Sequence, residues 1–373
     1  MAAETVDVAV VGAGITGLAI ARALKLRGAD VLVVEQTGIG SGQSGIQPGG
    51  VRQQWGTAIA CRLARESAAF WRDVEATLEF PVELGFHACG YLFAAHSEVV
   101  LERLRANVAT QNAEGVPSRV VSPEEAAALV PGLRTETLTG AAWCDEDGYF
   151  DRPQSVVEAL GSGANVRIAT VHALRPAAPG WELDTSAGRL AAGAVVVAAG
   201  TATVELVAGL GVDLPIENEE RHLFLSLPIA ERLLEPLVVS GERAFAAKQL
   251  GDGRVLASDL AAAGAADEGA PHWRARVREG IRELLPRLEY VDFPILATGT
   301  YDITPDRQPI LGAVPAHERL YVAAGFSGHG FMIAPAVGRI LADAVEGRHD
   351  PILDVLDAAR FADGRPVHEP QVV

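Results

Sequence analysis

A short apolar run, Val6 to Val11, leads straight into Gly12-Ala13-Gly14-Ile15-Thr16-Gly17, and no other feature restricts the fold of this chain as tightly. Such a run reads as a parallel strand buried on both faces. Leu18 to Arg27 then has helical spacing and stops at Gly28, and Val31 to Val34 is a second buried strand that ends in Glu35. The unit is strand, helix, strand. Gly12 permits the tight turn, Gly14 lets the backbone approach a pyrophosphate, and Gly17 lets the helix pack on the strand. The helix start presents unpaired N–H groups and a partial positive charge to phosphates. Glu35 follows the second strand, where a carboxylate accepts ribose hydroxyls and repels a 2′-phosphate. The competing reading is a glycine-rich turn with no ligand. The strand before, the helix after and the acid beyond favour a dinucleotide site.

The chain has 373 residues, 49% hydrophobic and 21% charged, enough for two domains with a large core. Its net charge of -17 repels phosphate backbones, so nucleic acid is not expected as a partner. The apolar run at the start is broken by Asp7 and glycines, so no membrane span is expected, and it lacks the basic leader of a signal peptide. Cys61, Cys89 and Cys144 are odd in number and far apart, which excludes a disulfide framework. The expectation is a cytoplasmic protein with buried thiols. The histidines have no ligand spacing, so no metal site is expected.

Further elements follow from caps and periodicity. Gly38 to Gly50 is too rich in Gly, Ser and Gln to form an element, and a long helix is expected from Thr57 to Glu79. Tyr91 to Ala94 reads as a strand, with Ser97 capping the next helix. Ser122-Pro123-Glu124-Glu125 is a capping box, and Asp151-Arg152-Pro153-Gln154 repeats that start signal. Val195 to Ala199 and Leu320 to Ala324 are buried strands, Ala336 to Val345 a last helix, and Ala261 to Pro271 a small-residue loop. The expected architecture is discontinuous: residues 1–85, 145–215 and 299–373 form one domain, and 86–144 and 216–298 a second, sheet-based one.

The C-terminal third carries two more motifs, Thr304-Pro305-Asp306 and Gly325-Phe326-Ser327-Gly328-His329-Gly330-Phe331. With Gly49-Gly50-Val51-Arg52-Gln53-Gln54, Asp147-Gly148-Tyr149 and Ala198-Ala199-Gly200, they make the chain similar to the D-amino-acid-oxidase-like FAD-dependent oxidoreductases. Within that family it resembles the sarcosine oxidase, glycine oxidase and proline dehydrogenase β-subunit branch. The resemblance covers essentially the whole chain. It implies an α/β fold, α+β overall: a Rossmann-like FAD-binding domain, and a discontinuous substrate domain built on an antiparallel sheet.

The resemblance also implies cofactor contacts. These fall on Gly12, Ala13, Gly14, Ile15, Thr16 and Gly17, then on Glu35, Gln36, Ser41 and Ser44. They continue at Gly49, Gly50, Val51, Arg52, Val171, Ala199, Gly200 and Gly299. The last set is Gly325, Phe326, Ser327, Gly328, His329, Gly330 and Phe331. Reduced flavin gathers negative charge near N1 and the C2 carbonyl, and the amides of the last set, with the helix behind them, suit that charge. Monomeric sarcosine oxidases attach FAD through a cysteine at the position of Gly299, so non-covalent FAD is expected here. The same enzymes carry a lysine where this chain has Met332 and a second arginine where it has Trp55. Their oxygen-activating lysine has no secure counterpart between Arg254 and Asp259.

Arg52, His329 and Lys248 are the catalytic candidates, each weighed against a bland role: a surface ion pair for Arg52, loop support for His329, a solvated strand position for Lys248. Gln54, Trp55, Tyr301 and Met332 are the substrate-pocket candidates, with Trp55 reading equally as core and core packing the commoner fate for Tyr301. Asp306 and Arg307 are expected to pair with each other or with backbone. The implied reaction is hydride transfer from the α-carbon of an amine, an amino acid or N-substituted amino acid, to flavin N5, giving an imine that hydrolyses. O2 or a carrier would take the electrons. The alternatives are 2-hydroxy-acid oxidation and an FAD-bearing electron-relay subunit of a hetero-oligomer, and either a homo-oligomer or a partner subunit fits the chain.

Overall fold

A computed structural model describes residues 4–262 and 269–370 of the chain. The expected loop at Ala261 to Pro271 falls largely on residues 263–268, outside the described residues. The first apolar run becomes strand Glu4–Val11, parallel to Val31–Glu35 on one side and to Gly188–Val197 on the other. Leu320–Ala324 extends the parallel set beyond Gly188–Val197, with Val195 opposite Leu320, and Val166–Ile168 lies beyond Val31–Glu35. Helices Ile15–Leu26, Ala58–Arg72 and Gly330–Val345 cover one face. Leu18, Ile20, Leu24, Val337 and Ile340 are buried there, which removes the sheet's Val and Leu side chains from water. Because the strands are parallel, Val11, Glu35, Val197 and Ala324 end on the same edge of the sheet, where an open α/β sheet binds its ligand.

A second eight-stranded sheet faces that edge. Its strands run in the order Ile295–Ile303, Glu217–Leu225, Val255–Asp259, Phe245–Gln249, Leu237–Ser240, Tyr91–Ala95, Gly140–Cys144, Arg119–Val121. All neighbours are antiparallel except Leu237–Ser240 with Tyr91–Ala95. Helix Ala270–Leu284 closes one face with Trp273, Val277, Ile281 and Leu284. No helix among the described residues is long and apolar enough to cross a membrane.

Several local expectations are corrected. The stretch from Thr57 to Glu79 is two helices, Ala58–Arg72 and Val74–Leu78, because Asp73 leaves helical geometry and its N–H closes the first helix on Phe70 and Trp71. Gly38 to Gly50 is not featureless: Gln43–Ile46 forms one helical turn, and Gly50–Val51 pairs with Gly148–Phe150. The helix after Arg152 starts at Pro153 without a side-chain cap. Asp151 instead bonds His87 Nε2 at 2.8 Å and accepts the Gly251 N–H at 2.8 Å. The last helix begins at Gly330, six residues before Ala336, with Pro335 inside it. The Ser67 hydroxyl accepts the Ala336 N–H at 3.2 Å, next to the bond that the proline removes.

Candidate active site

The glycine motif is built as its spacing demands. Gly12 sits at φ 106, and a Cβ there would strike the Ala198 carbonyl; a Cβ at Gly17 would strike the Gly12 carbonyl. Both glycines are therefore needed for backbone packing. Gly14 differs: its missing Cβ would touch only Ser44 Oγ, at 3.3 Å, and it borders a cavity. The Ala13 N–H donates to Glu35 Oε2 at 2.8 Å, and Ser44 Oγ accepts the Ile15 N–H at 3.0 Å. Glu35 thus braces the loop as well as ending the second strand.

The cavity is continuous, with a volume of about 800 Å³. It runs from Glu35 and Gln36, past the start of helix Ile15–Leu26, to the face of the second sheet, and ends at Met332. That volume is in the range of small-molecule and cofactor sites. Two helix N-termini open onto it, at Gly14 and at Gly330. The C-terminal glycine segment contributes Phe326, Gly328, His329, Gly330 and Phe331 to its lining, and the second sheet contributes Leu223, Leu237, Val239, Ala246 and Tyr301.

The cavity gathers most of the expected cofactor residues. Gly12, Gly14, Ile15, Thr16, Glu35, Gln36, Ser41, Ser44, Gly50, Arg52, Val171, Ala199, Gly200 and Gly299 all line it. Ala13, Gly17, Gly49, Val51, Gly325 and Ser327 do not line it; they shape the turns behind. The amides of Gly325 to Phe331 are not all free either, as the motif suggested. The Gly325 N–H donates to Asp302 Oδ2 at 2.8 Å, the Ser327 N–H to the Asp302 carbonyl at 2.9 Å, and the His329 N–H to the Phe326 carbonyl at 2.9 Å. The donors left for a ligand include the Gly328 amide and the first helical amides, those of Gly330, Phe331 and Met332.

Arg52 enters this far end. It is 4% exposed, its guanidinium carbon lies 3.7 Å from the Trp55 ring centroid and 5.2 Å from that of Phe93, and it borders the cavity. The other side of Trp55 meets His329, with ring centroids 4.1 Å apart at 62°. Burial, with Arg52 and Arg307 nearby, holds His329 well below the usual imidazole range, so the ring is neutral. His329 Nε2 is buried with no partner among the described residues.

Three expected pocket residues are moved. Gln54 does not line the cavity, because its Nε2 is committed to the Tyr91 carbonyl at 3.1 Å and to Asp147 Oδ2 at 3.0 Å. Trp55 is the shelf beneath Arg52 rather than a wall. Lys248 is 2% exposed and off the cavity; its ammonium donates to the Pro48 carbonyl and lies 4.2 Å from the Tyr149 ring centroid. Tyr301 and Met332 do line the cavity. Sequence reading missed Tyr91, Arg221 and Asp302, which also line it. The signal for Asp302 was an acid on a strand just ahead of Thr304-Pro305-Asp306, too common a pattern to single out.

Burial pushes the Lys248 ammonium down to about 7, against the opposing pull of Asp151 and Cys89. The folded protein therefore drops this proton near pH 7, whereas the unfolded chain keeps it to about pH 10. Between those values the unfolded state binds more protons, so stability rises with pH. Lys248→Met is expected to raise the melting temperature most at pH 6, with the advantage shrinking by pH 9. A melting-temperature difference that stays constant across that range contradicts the buried-ammonium assignment.

Residues 7–344 match the family of FAD dependent oxidoreductases, and the chain belongs to it. It is thus an FAD-dependent oxidoreductase. The bovine FAD-dependent oxidoreductase domain-containing protein 1 is 28% identical over 425 residues, 98% of this chain and 87% of that protein. Glycine oxidase from Geobacillus kaustophilus is 28% identical over 361 residues, 91% of this chain and 93% of the enzyme. Among solved structures, L-proline dehydrogenase from P. horikoshii superposes with a TM-score of 0.91 at 28% identity, over 98% of this chain and all of that one (100%). The residues fit FAD: an open Gly14 faces the cavity, two helix starts converge on it, and the far end holds an orphaned imidazole nitrogen.

Proposed function

We propose that this chain oxidises the amine of an amino acid or N-substituted amino acid. In this reading residues 1–85, 145–215 and 299–373 hold FAD non-covalently, and 86–144 and 216–298 supply the substrate wall. The observation that carries it is Arg52, a buried guanidinium that borders the cavity beside the apolar side chains of Leu223, Leu237, Val239 and Ala246. A planar fork held flat on Trp55 suits a carboxylate. Arg52 would supply the carboxylate grip alone, in a chain with Met332 and Trp55 at the positions where the resemblance to monomeric sarcosine oxidases implies a lysine and a second arginine. Leu223, Leu237, Val239 and Ala246 would take the apolar body of the substrate and exclude water.

FAD, when bound, supplies the two-electron acceptor. The neutral His329 ring borders the cavity without adding a second positive charge beside Arg52. The Gly330 to Met332 amides and the helix behind them favour negative charge at the far end of the cavity. None of the three cysteines lines the cavity, in keeping with non-covalent binding. Relatives named glycine oxidase and sarcosine oxidase subunit beta support an amine substrate, and the second name leaves room for a partner subunit.

Anaerobic titration of the purified yellow protein with a panel of amino acids and N-methyl amino acids tests the reading. Loss of the oxidised flavin spectrum with at least one of them is expected. Bleaching by a 2-hydroxy acid and by no amine transfers the assignment to hydroxy-acid oxidation. Peroxide formed on admitting air then separates O2 from a carrier as the acceptor.

A further inference from the structure

From these contacts we infer that Asp302 is a positioning residue of the cofactor pocket, joining its two ends through one buried carboxylate whose charge sets how readily bound FAD takes up electrons. The inference rests on the FAD reading of the cavity and not on which substrate is oxidised. Asp302 sits on strand Ile295–Ile303, is 3% exposed and lines the cavity. Its Oδ2 accepts the Gly325 N–H at 2.8 Å, and its Oδ1 faces Gln43 Nε2 at 3.3 Å. Gln43 Nε2 also donates to the Thr300 carbonyl at 2.8 Å. One side chain therefore ties the C-terminal glycine segment and the helical turn Gln43–Ile46 to the same strand.

The glycine segment needs such an anchor. Gly325 is at φ 69 and Ser327 at φ 51, a left-handed conformation that is unfavourable for serine. Ser327 is held by the Asp302 carbonyl at 2.9 Å, and its Oγ accepts the Thr304 N–H at 3.3 Å. A Cβ at Gly325 would strike the Thr304 methyl, so the turn requires glycine at that position. Both Asp302 oxygens face donors, which is the pattern of an ionised carboxylate. Burial pushes its pKa up, while bonds from Gly325, Phe326 and Gln43 oppose that. Burial wins that balance and the net direction is upward; the negative charge in this low-dielectric wall rests on the donors that face both oxygens. Such a charge opposes the arrival of further negative charge.

The test compares Asp302→Asn, Asp302→Ala and Gln43→Met in the intact chain, reading the FAD dissociation constant and the midpoint potential of bound FAD. Asp302→Asn keeps the shape, removes the charge and turns its NH2 toward Gln43 Nε2: a loss of FAD affinity no larger than that of Gln43→Met and a potential shifted upward are expected. Asp302→Ala strands the Gly325 N–H, so FAD binding is expected to weaken by about tenfold or more. An unchanged or lowered potential in Asp302→Asn overturns the electrostatic role. Gln43→Met, which leaves Asp302 in place, is expected to weaken FAD by several-fold. Unaltered affinity there overturns the clamp even if the Asp302 variants do not fold. Amine specificity enters neither readout, so failure here leaves the substrate reading to its own titration.

Discussion

Replacing Arg360 with methionine is expected to cost about 3–5 kcal/mol of stability, because it leaves a buried carboxylate without its partner. Arg360 and Asp306 are both 0% exposed. The guanidinium meets the carboxylate with two parallel bonds, Nε to Oδ2 at 2.8 Å and Nη2 to Oδ1 at 2.9 Å. Its remaining donors go to the carbonyls of Leu356, Asp357 and Gln308, at 2.9 to 3.0 Å. Burial by itself would raise the Asp306 carboxyl, and the Arg360 pairing, with help from the Gln308 and Val367 amides, brings it below the ordinary value. A depressed carboxylate contributes stability that is present above about pH 4, its unfolded value, and is lost as pH falls through the folded one. The gap between wild type and Arg360→Met should therefore be full at pH 7 and narrow below pH 4. Urea unfolding at both pH values measures it. Removing both charges with Asp306→Leu and Arg360→Met together should recover part of the loss, since a well-packed apolar pair often replaces a buried ion pair at little cost. A loss under about 1 kcal/mol in Arg360→Met would falsify the assignment of this pair as a structural clamp.

That pair also marks where sequence reading stopped. Asp306 lies next to Arg307, and the expectation is a pairing with each other or with backbone; the backbone pairing is present, since Asp306 accepts the Gln308 and Val367 N–H groups, each at 3.2 Å. The chain brings Arg360 to it from 54 residues away, while the Arg307 guanidinium approaches Glu219, at 4.0 Å. The same strap returns Glu369 to the Gly56 N–H at 2.7 Å and to the Thr57 hydroxyl at 2.7 Å. It thus ties the Thr304-Pro305-Asp306 turn to the segment just after Arg52 and Trp55. Long-range closure of this kind leaves no periodicity to read. What was legible had a local physical cause. The Gly12 and Gly17 positions follow from backbone collisions, and strand Leu320–Ala324 follows from a continuous apolar run bounded by a turn. The start of the last helix was missed because Pro335 reads as a stop, whereas another helix serves the backbone there: Ser67 Oγ accepts the Ala336 N–H and the Trp71 indole donates to the Met332 carbonyl at 2.9 Å. Lys248 was placed on the correct strand, but which neighbours would bury it depended on the loop at Pro48, 200 residues earlier.

Arg52→Met is expected to lower kcat/KM for the best amino acid substrate by about 10²–10³-fold, the loss that follows when one partner of a buried charge pair is truncated. Most of it should appear in KM, because a carboxylate grip binds ground state and transition state alike. Arg52→Lys tests geometry separately from charge. A lysine keeps the positive charge but not the flat face that lies 3.7 Å from Trp55, so it should recover only part of the loss. The discriminating substrate is the matching amine without a carboxylate. Wild type should oxidise it poorly, and Arg52→Met should oxidise it about as well as wild type does, so the preference for the amino acid collapses. FAD content, read from the visible spectrum of each variant, shows whether the pocket is still formed. The Trp55 shelf and the His329 ring behind it do not depend on the arginine for their own contact, with centroids 4.1 Å apart, so the cavity should survive the change. Equal losses on the amino acid and on the decarboxylated amine, with FAD still bound, would take Arg52 out of substrate recognition and leave it as a group that acts on the flavin alone.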